Sequence, residues 1–213
     1  MRLNKFFYLL FSGLFLFSCI KHEVIPAPEH SVDLQYSFTA TIDNDSTVSL
    51  SSDNLNYICL PTQEKNLVSP PQLSTAIYYS NISSSTSSES IQIGLGDIRW
   101  DQSTGEDPAL STFNSFFTSS SNAFPTYNDN CSPGFRVIYT DPLGSVYSSK
   151  ADSTTFKSVK FSNIRQDSDA TGDYSKFTCS FDCYVYYDSG TIPQAGKDSL
   201  KIQMGKFKGY FKR

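Results

Sequence analysis

Histidine is almost missing from this chain. There are two, His22 and His30, and both fall in a proline-broken stretch ahead of the first patterned segment. The part that reads as folded therefore has no imidazole. Ser-His-Asp and Cys-His nucleophile systems need that base, and typical catalytic zinc sites need its nitrogen as a ligand. Neither class of chemistry is expected here. A glycine-rich phosphate loop is missing too: Gly94-Leu95-Gly96 has no third glycine and no helix pattern behind it, so it is not a dinucleotide fingerprint. Positive charge is short. Lys and Arg number 17 against 21 Asp and Glu, a formal net charge of −4, and no basic cluster precedes the last strand. Nucleic-acid binding rests on neutralising phosphates, so that partner is not expected. Finally, no apolar run reaches spanning length. Phe6 to Phe17 is too short to cross roughly 30 Å of hydrocarbon, which takes about 20 residues.

That short run has the length of a secretory signal core. It follows the positive stretch Met1-Arg2-Leu3-Asn4-Lys5 and ends at the small residue Ser18. Leu16-Phe17-Ser18-Cys19 resembles a bacterial lipobox, in which the cysteine thiol is diacylated and becomes the mature N-terminus. Phe17 departs from the small residue of enterobacterial versions; Bacteroidota-type bacteria are looser there. The competing reading is an ordinary signal peptide with a coincidental cysteine. Two or three acyl chains make a stable anchor, at about 0.8 kcal/mol per buried CH₂. Residues 1–18 thus read as a lipoprotein signal peptide. Residues 19–31 read as the lipidated Cys19 and a tether extended by Pro26 and Pro28, and residues 32–213 as one domain. Loss of Arg2 and Lys5 with the signal peptide leaves the mature chain more acidic. Ile20 stands where an aspartate favours inner-membrane retention in enterobacteria. The expected address is the outer membrane, lipid-anchored, facing the periplasm or the outside.

The domain is rich in Tyr, Phe, Ser and Thr, a β-rich profile. Val32, Leu34, Tyr36, Phe38, Ala40 and Ile42 alternate with polar residues, the period-two mark of a half-buried strand. Asp43-Asn44-Asp45 turns the chain into Val48 and Leu50. Leu55, Tyr57 and Cys59 suggest a strand stopped by Pro61, and Leu73–Tyr79 another. "NISSSTSSES" reads as a polar loop. Ile91, Ile93 and Leu95 alternate again. In "GEDPALSTFNSFF", Asp107 suits a helix cap and Pro108 the first turn, and Leu110, Phe113, Phe116 and Phe117 form a stripe, so a short helix is expected over residues 108–118. Phe135–Tyr139 and Val146-Tyr147 flank a turn as a hairpin. Phe156 falls out of phase with Val159 and Phe161, which places a bulge near Lys157 or Ser158. Phe177, Cys179, Phe181, Cys183, Val185 and Tyr187 share one strand face. Leu200, Ile202 and Met204 shift phase at Gly205, and Lys201, Lys206, Lys208 and Lys212 point outward, as edge protection on a terminal strand. The expected fold is an antiparallel β-sandwich with one short helix. The alternative is a lipocalin-like closed β-barrel.

Lipobox, tether, β-domain and the closing run "GKFKGYFKR" together resemble uncharacterised β-rich lipoproteins of Bacteroidota-type bacteria. The resemblance covers most of the chain and brings no site residues with it. It implies a lipid-anchored envelope protein whose partners are the membrane and either a glycan or another envelope protein.

Three constellations carry chemistry on paper. Trp100 stands beside Asp101, with Asp97, Glu106 and Asp107 near in sequence. Two carboxylates by an aromatic platform are the apparatus of a glycosidase, though a turn and a helix cap explain the same residues. Trp100 with Tyr184 and Tyr186 on an outward strand face would stack on sugar rings, as in a glycan-binding accessory protein of a polysaccharide-uptake system; aromatic cover over the core is the plainer reading. Asp167, Asp169 and Thr171, with Gly172 and Asp173, match the opening of a calcium loop. But the twelfth position is Thr178 rather than Glu, so a turn competes with Ca²⁺. No other cofactor is indicated, and a non-enzymatic binding or scaffold role is the first expectation.

Beyond Cys19 there are four cysteines, Cys59, Cys131, Cys179 and Cys183. Export places them where even counts form disulfides. Cys179 and Cys183, four apart on an extended strand, lie about 13 Å from each other, too far for a bond. Each is expected to take a distant partner. Both such pairings remain open, with Cys131–Cys179 and Cys59–Cys183 preferred. Buried free thiols are the competing reading.

Overall fold

Alternating residues become strand wherever one face finds an apolar partner. A computed structural model describes residues 29–53, 56–151, 155–188 and 196–213. The signal peptide, Cys19, most of the tether and Leu55 lie outside the described residues. The strands in order are β1 (Ser37–Ile42), β2 (Ser46–Ser51), β3 (Tyr57–Asn66), β4 (Ser74–Ser84) and β5 (Ser90–Trp100). Helices α1 (Leu110–Thr118) and α2 (Ser120–Ala123) follow, then β6 (Gly134–Thr140), β7 (Val146–Ser149), β8 (Ser158–Asp169), β9 (Gly172–Tyr187) and β10 (Ser199–Lys212). The ladder runs β2-β1-β10-β9-β7-β6-β5-β4-β3, with β8 also on β9.

Strand β9 organises the molecule. One edge pairs with β10 along nearly its whole length. The other edge is shared: β8 takes Gly172 to Asp182, and β7 takes Val185 to Tyr187. The ladder forks between, giving one leaf of β8-β9-β10-β1-β2 and another of β7-β6-β5-β4-β3. Their apolar faces meet, with β10 lying against β3 and β4. This is the expected antiparallel β-sandwich. Among the described residues it is not a closed barrel, because β2 and β3 end the ladder and do not pair with each other. Tyr127 bridges the fork, donating its hydroxyl to Ser158 O at 2.9 Å and to Asp182 O at 3.1 Å.

The core is aromatic. Phe177, Phe207 and Phe211 are buried on the first leaf, with Phe177 and Phe211 stacked at 4.5 Å between ring centroids. Helix α1 supplies Phe113 and Phe117, both buried; Phe117 stacks on Phe211 at 4.8 Å, and both meet Tyr78 of β4 edge-on. Each such pair contributes about 0.5–1.5 kcal/mol beyond its buried area, so Phe113 and Phe117 of the stripe are core, Phe116 is partly buried against it, and Leu110 is exposed.

Several local expectations are corrected. Pro61 does not stop a strand: β3 runs through it to Asn66, because β3 is an edge strand, where a missing N–H is tolerated. Asn81 to Ser84 of the supposed loop belong to β4, with Ile82 fully buried. The bulge of β8 is not at Lys157 or Ser158. The strand begins only at Ser158, and the register shifts between Ser162 and Arg165, with Asn163 at φ 53°. Strand β10 is no edge, since it lies between β1 and β9. Its phase shift falls at Met204, at φ 51°, which turns out of the core and is 74% exposed. Asp107 does not cap α1, whose N-cap is Ala109 without a side-chain bond; it pairs with Lys65 at 2.5 Å. A second, four-residue helix, α2, was not expected.

Candidate functional site

The aromatic platform expected at Trp100 is not on the surface. Trp100 points into the sandwich, 5% exposed, and its indole N–H donates to Gly105 O at 3.1 Å. Three of the neighbouring carboxylates, Asp97, Asp101 and Asp107, have structural partners, and Glu106 is exposed. Asp101 caps a short 3₁₀ turn, accepting from Ser103 N at 2.8 Å. Hydrogen bonds from Ser103 hold its carboxyl below the usual range, the wrong direction for a general acid. Asp97 pairs with Arg99 at 3.1 Å.

Tyr184 and Tyr186 do face outward, both half-buried. Tyr184 packs on Phe156 at 5.5 Å, with Lys201 above that ring at 4.2 Å, and Lys150 lies 5.3 Å from the Tyr186 ring. Trp100 is not with them. Tyr186 stands opposite Ser148, then Ile138, then Gln92. Trp100 is eight residues further along β5 and on the other face, roughly 25 Å away. No glycan platform is formed by the three.

The supposed calcium loop is the β8–β9 hairpin, with Asp169 opposite Gly172. Asp169 accepts from Thr171 N at 2.7 Å, from the Thr171 hydroxyl, and from Val32 N at 2.8 Å. Those bonds, the Thr171 hydroxyl's first, hold its carboxyl at about 2. Asp167 pairs with Lys176 at 2.9 Å and Asp173 with Arg213 at 2.5 Å. The oxygens are turned to the backbone and to cations rather than towards a common centre. Among the described residues no three His, Cys, Asp or Glu side chains gather as a metal site.

The expected disulfides are not seen: Cys59, Cys131, Cys179 and Cys183 are buried and not joined in disulfides. Ile93 and Leu95 point into the core, so Gly94 between them faces out, and Cys131 Sγ sits 3.0 Å from where a Gly94 Cβ would stand. The β5–β6 layer separates it from Cys179 on the inner face of β9. Cys59 Sγ lies 3.3 Å from Ser80 Oγ, which abuts Gly209, opposite Phe177. Cys183 is six residues further along β9, roughly 20 Å, well beyond the reach of a disulfide. Burial pushes the Cys59 thiol up to about 11, that of Cys131 to about 12, and that of Cys179 well above the usual range.

What the fold does assemble is the outer face of β8, β9, β10 and β1. Across it Thr39, Lys206, Ser180 and Lys160 stand in one row, and Ser37, Lys208, Thr178 and Ser162 in the next. The two bulges bend this face. A groove of about 480 Å³ holds Asp33, Gln35, Arg165, Lys176, Lys206 and Lys208. Beside it, and sharing Lys206, a groove of about 530 Å³ is lined by Phe124, Val159, Lys160 and Met204. Phe124 is 64% exposed, and Lys160 Nζ lies 5.6 Å from its ring centroid. The sequence marked the lysines of β10 as outward. It carried no sign that Lys160, Arg165 and Phe124 would join them, since that depends on the leaf order.

A further shallow groove of about 620 Å³ lies between the end of β5 and α1, lined by Asp97, Arg99, Ser111, Ser115 and Asn122. The Asp97–Arg99 pair already balances its charge. No family model, curated protein or solved structure matches this chain.

Proposed function

We propose that this chain is a lipid-anchored lipoprotein of the cell envelope, held in the outer membrane by acylated Cys19, whose β-sandwich has a non-enzymatic binding or scaffold role. The observation that carries the reading is the order of parts. An apolar run too short to span a membrane ends at Ser18-Cys19, a polar proline-broken stretch follows, and a separate compact unit begins at Ser31.

The geometry lends support on the side of binding rather than catalysis. Asp97, Asp101 and Asp107 hold an ion pair, a turn and a second ion pair, and the aromatic ring beside them is buried. The glycan reading is weakened at the same point, because Trp100 is not available to stack. The groove beside Tyr186 encloses only about 80 Å³.

Incorporation of a radioactive fatty acid in the native host tests the anchor. The wild-type protein takes up label and Cys19→Ser does not. Label retained by the variant would remove the anchor from Cys19 and the reading with it.

A further inference from the structure

The curved outer face of β8, β9, β10 and β1 combines two features. One is a row of cations in a chain whose net charge is negative. Lys160, Arg165, Lys176, Lys206 and Lys208 line the two grooves, against Asp33 and Asp182. Lys176 is balanced by Asp167 at 2.9 Å and Lys208 donates to Gln35 Oε1, which leaves Lys160, Arg165, Lys206 and Lys208 as the net positive charge of the face. Asp182 accepts from Met204 N at 2.8 Å and from the Ser158 hydroxyl at 2.9 Å. The other feature is a pair of large apolar side chains held out of the core by local backbone. Met204 is turned out by the β10 bulge, and Phe124 follows the last residue of α2. Both share a groove with Lys160 and Lys206. Exposed apolar side chains ringed by lysine suit the boundary between phosphate headgroups and acyl chains.

We propose that this face docks on the anionic phosphate headgroups of the membrane that carries the anchor. Phe124 and Met204 enter the headgroup layer, and Lys160, Lys206 and Lys208 meet the phosphates.

The proposal rests on the anchored reading above, and the chain's dimensions fit it. The chain enters the domain at Val32, whose N–H is bound to Asp169 at the tip of the β8–β9 hairpin. That is one end of the face. Met204 is bound to Asp182, ten residues along β9 from Gly172, or roughly 33 Å at the strand rise. From Cys19 to Ser31 the tether reaches at most about 40 Å. An acylated Cys19 and the Phe124–Met204 tip can therefore lie in one bilayer surface at the same time. Docking would hold the domain flat against the lipid and leave the opposite leaf, β3 to β7, facing away.

The test uses the mature chain, residues 19–213, carrying Cys19→Ser so that no acyl chain contributes. It is sedimented with vesicles of phosphatidylcholine alone and of phosphatidylcholine mixed with phosphatidylglycerol. The expected result is binding to the anionic vesicles only, released by salt. Lys206→Gln with Lys208→Gln weakens it about twenty-fivefold, fivefold for each cation removed near an anionic surface. Phe124→Ser with Met204→Ser weakens it with the salt dependence kept. All four positions are on the surface, and Trp100 emission confirms that the variants are folded. Equal binding to both vesicles, binding to neither, or unchanged binding in the lysine variant overturns the proposal. Capture by dextran sulfate without binding to anionic vesicles also overturns it, and assigns the face to a soluble polyanionic glycan. Because the protein tested carries no lipid, these outcomes are independent of fatty-acid labelling at Cys19.

Discussion

The hydroxyl of Tyr210 on β10 donates to the carbonyl of Cys59 on β3 at 2.9 Å, although these two strands share no ladder. Tyr36 does the same for Tyr57 O, also at 2.9 Å. Carbonyls on the free edge of β3 are satisfied by side chains where a barrel would have used a strand. The edge is thereby blunted against pairing with another chain.

Tyr210→Phe leaves a buried carbonyl without its donor, which costs about 1–3 kcal/mol. Tyr36→Phe, at a half-buried position, costs less. Urea denaturation of the two variants checks the order; equal stability of Tyr210→Phe and wild type would show that the seam does not depend on this bond.

Trp100 is the chain's one tryptophan, and it is buried. Its emission is expected to be blue-shifted and shielded from acrylamide, and to move red on unfolding. Trp100→Ala removes a large core side chain and costs about 3–5 kcal/mol. An exposed, readily quenched indole would restore it as a platform for ligands.

How far the sequence showed this molecule depends on the kind of interaction. Strand β9 was legible from Phe177 to Tyr187 because each buried residue sits opposite a core, and alternation is local. The α1 stripe of Phe113 and Phe117 was legible for the same reason. Pro61 and the serine-rich end of β4 misled, because composition alone does not tell an edge strand from a loop. Trp100 and Asp101, adjacent in sequence, looked like a site. Strand alternation sends them to opposite sides, one to the core and one to a turn. The basic face was half visible: Lys206 and Lys208 were read as outward. Lys160 and Arg165 join them only through the pairing of β8 with β9, a long-range fact.

The four buried cysteines give a direct chemical prediction. Unfolded in denaturant without reductant, the protein should show four alkylatable thiols at Cys59, Cys131, Cys179 and Cys183. Folded, it should react slowly at neutral pH, since burial disfavours the thiolate. Peptides linked through any two of these residues would contradict the reduced arrangement.

Alkaline pH should unfold the protein. The Cys59 and Cys131 thiols are raised from an ordinary 9.0 to about 11 and about 12, and burial raises the hydroxyls of Tyr78, Tyr127, Tyr139 and Tyr210. The unfolded chain then loses protons first, so stability falls as pH rises from about 9 and is flat below that for these groups. The shift at Cys59 alone is worth about 3 kcal/mol once pH exceeds both values. Melting temperatures between neutral pH and pH about 11 check this, with the full tyrosinate absorbance of the unfolded chain expected only together with unfolding. That full absorbance reached while the fold persists would mean that these four hydroxyls are open to solvent.

The central claim is that this sandwich hangs from an acylated cysteine. Mass spectrometry of the N-terminal peptide of the protein purified from its native membrane tests it most directly. The account predicts a peptide beginning at Cys19 and heavier than its sequence by two or three acyl chains and the glycerol that carries them. An unmodified peptide starting at or after Cys19, or a chain that still begins at Met1, would contradict it.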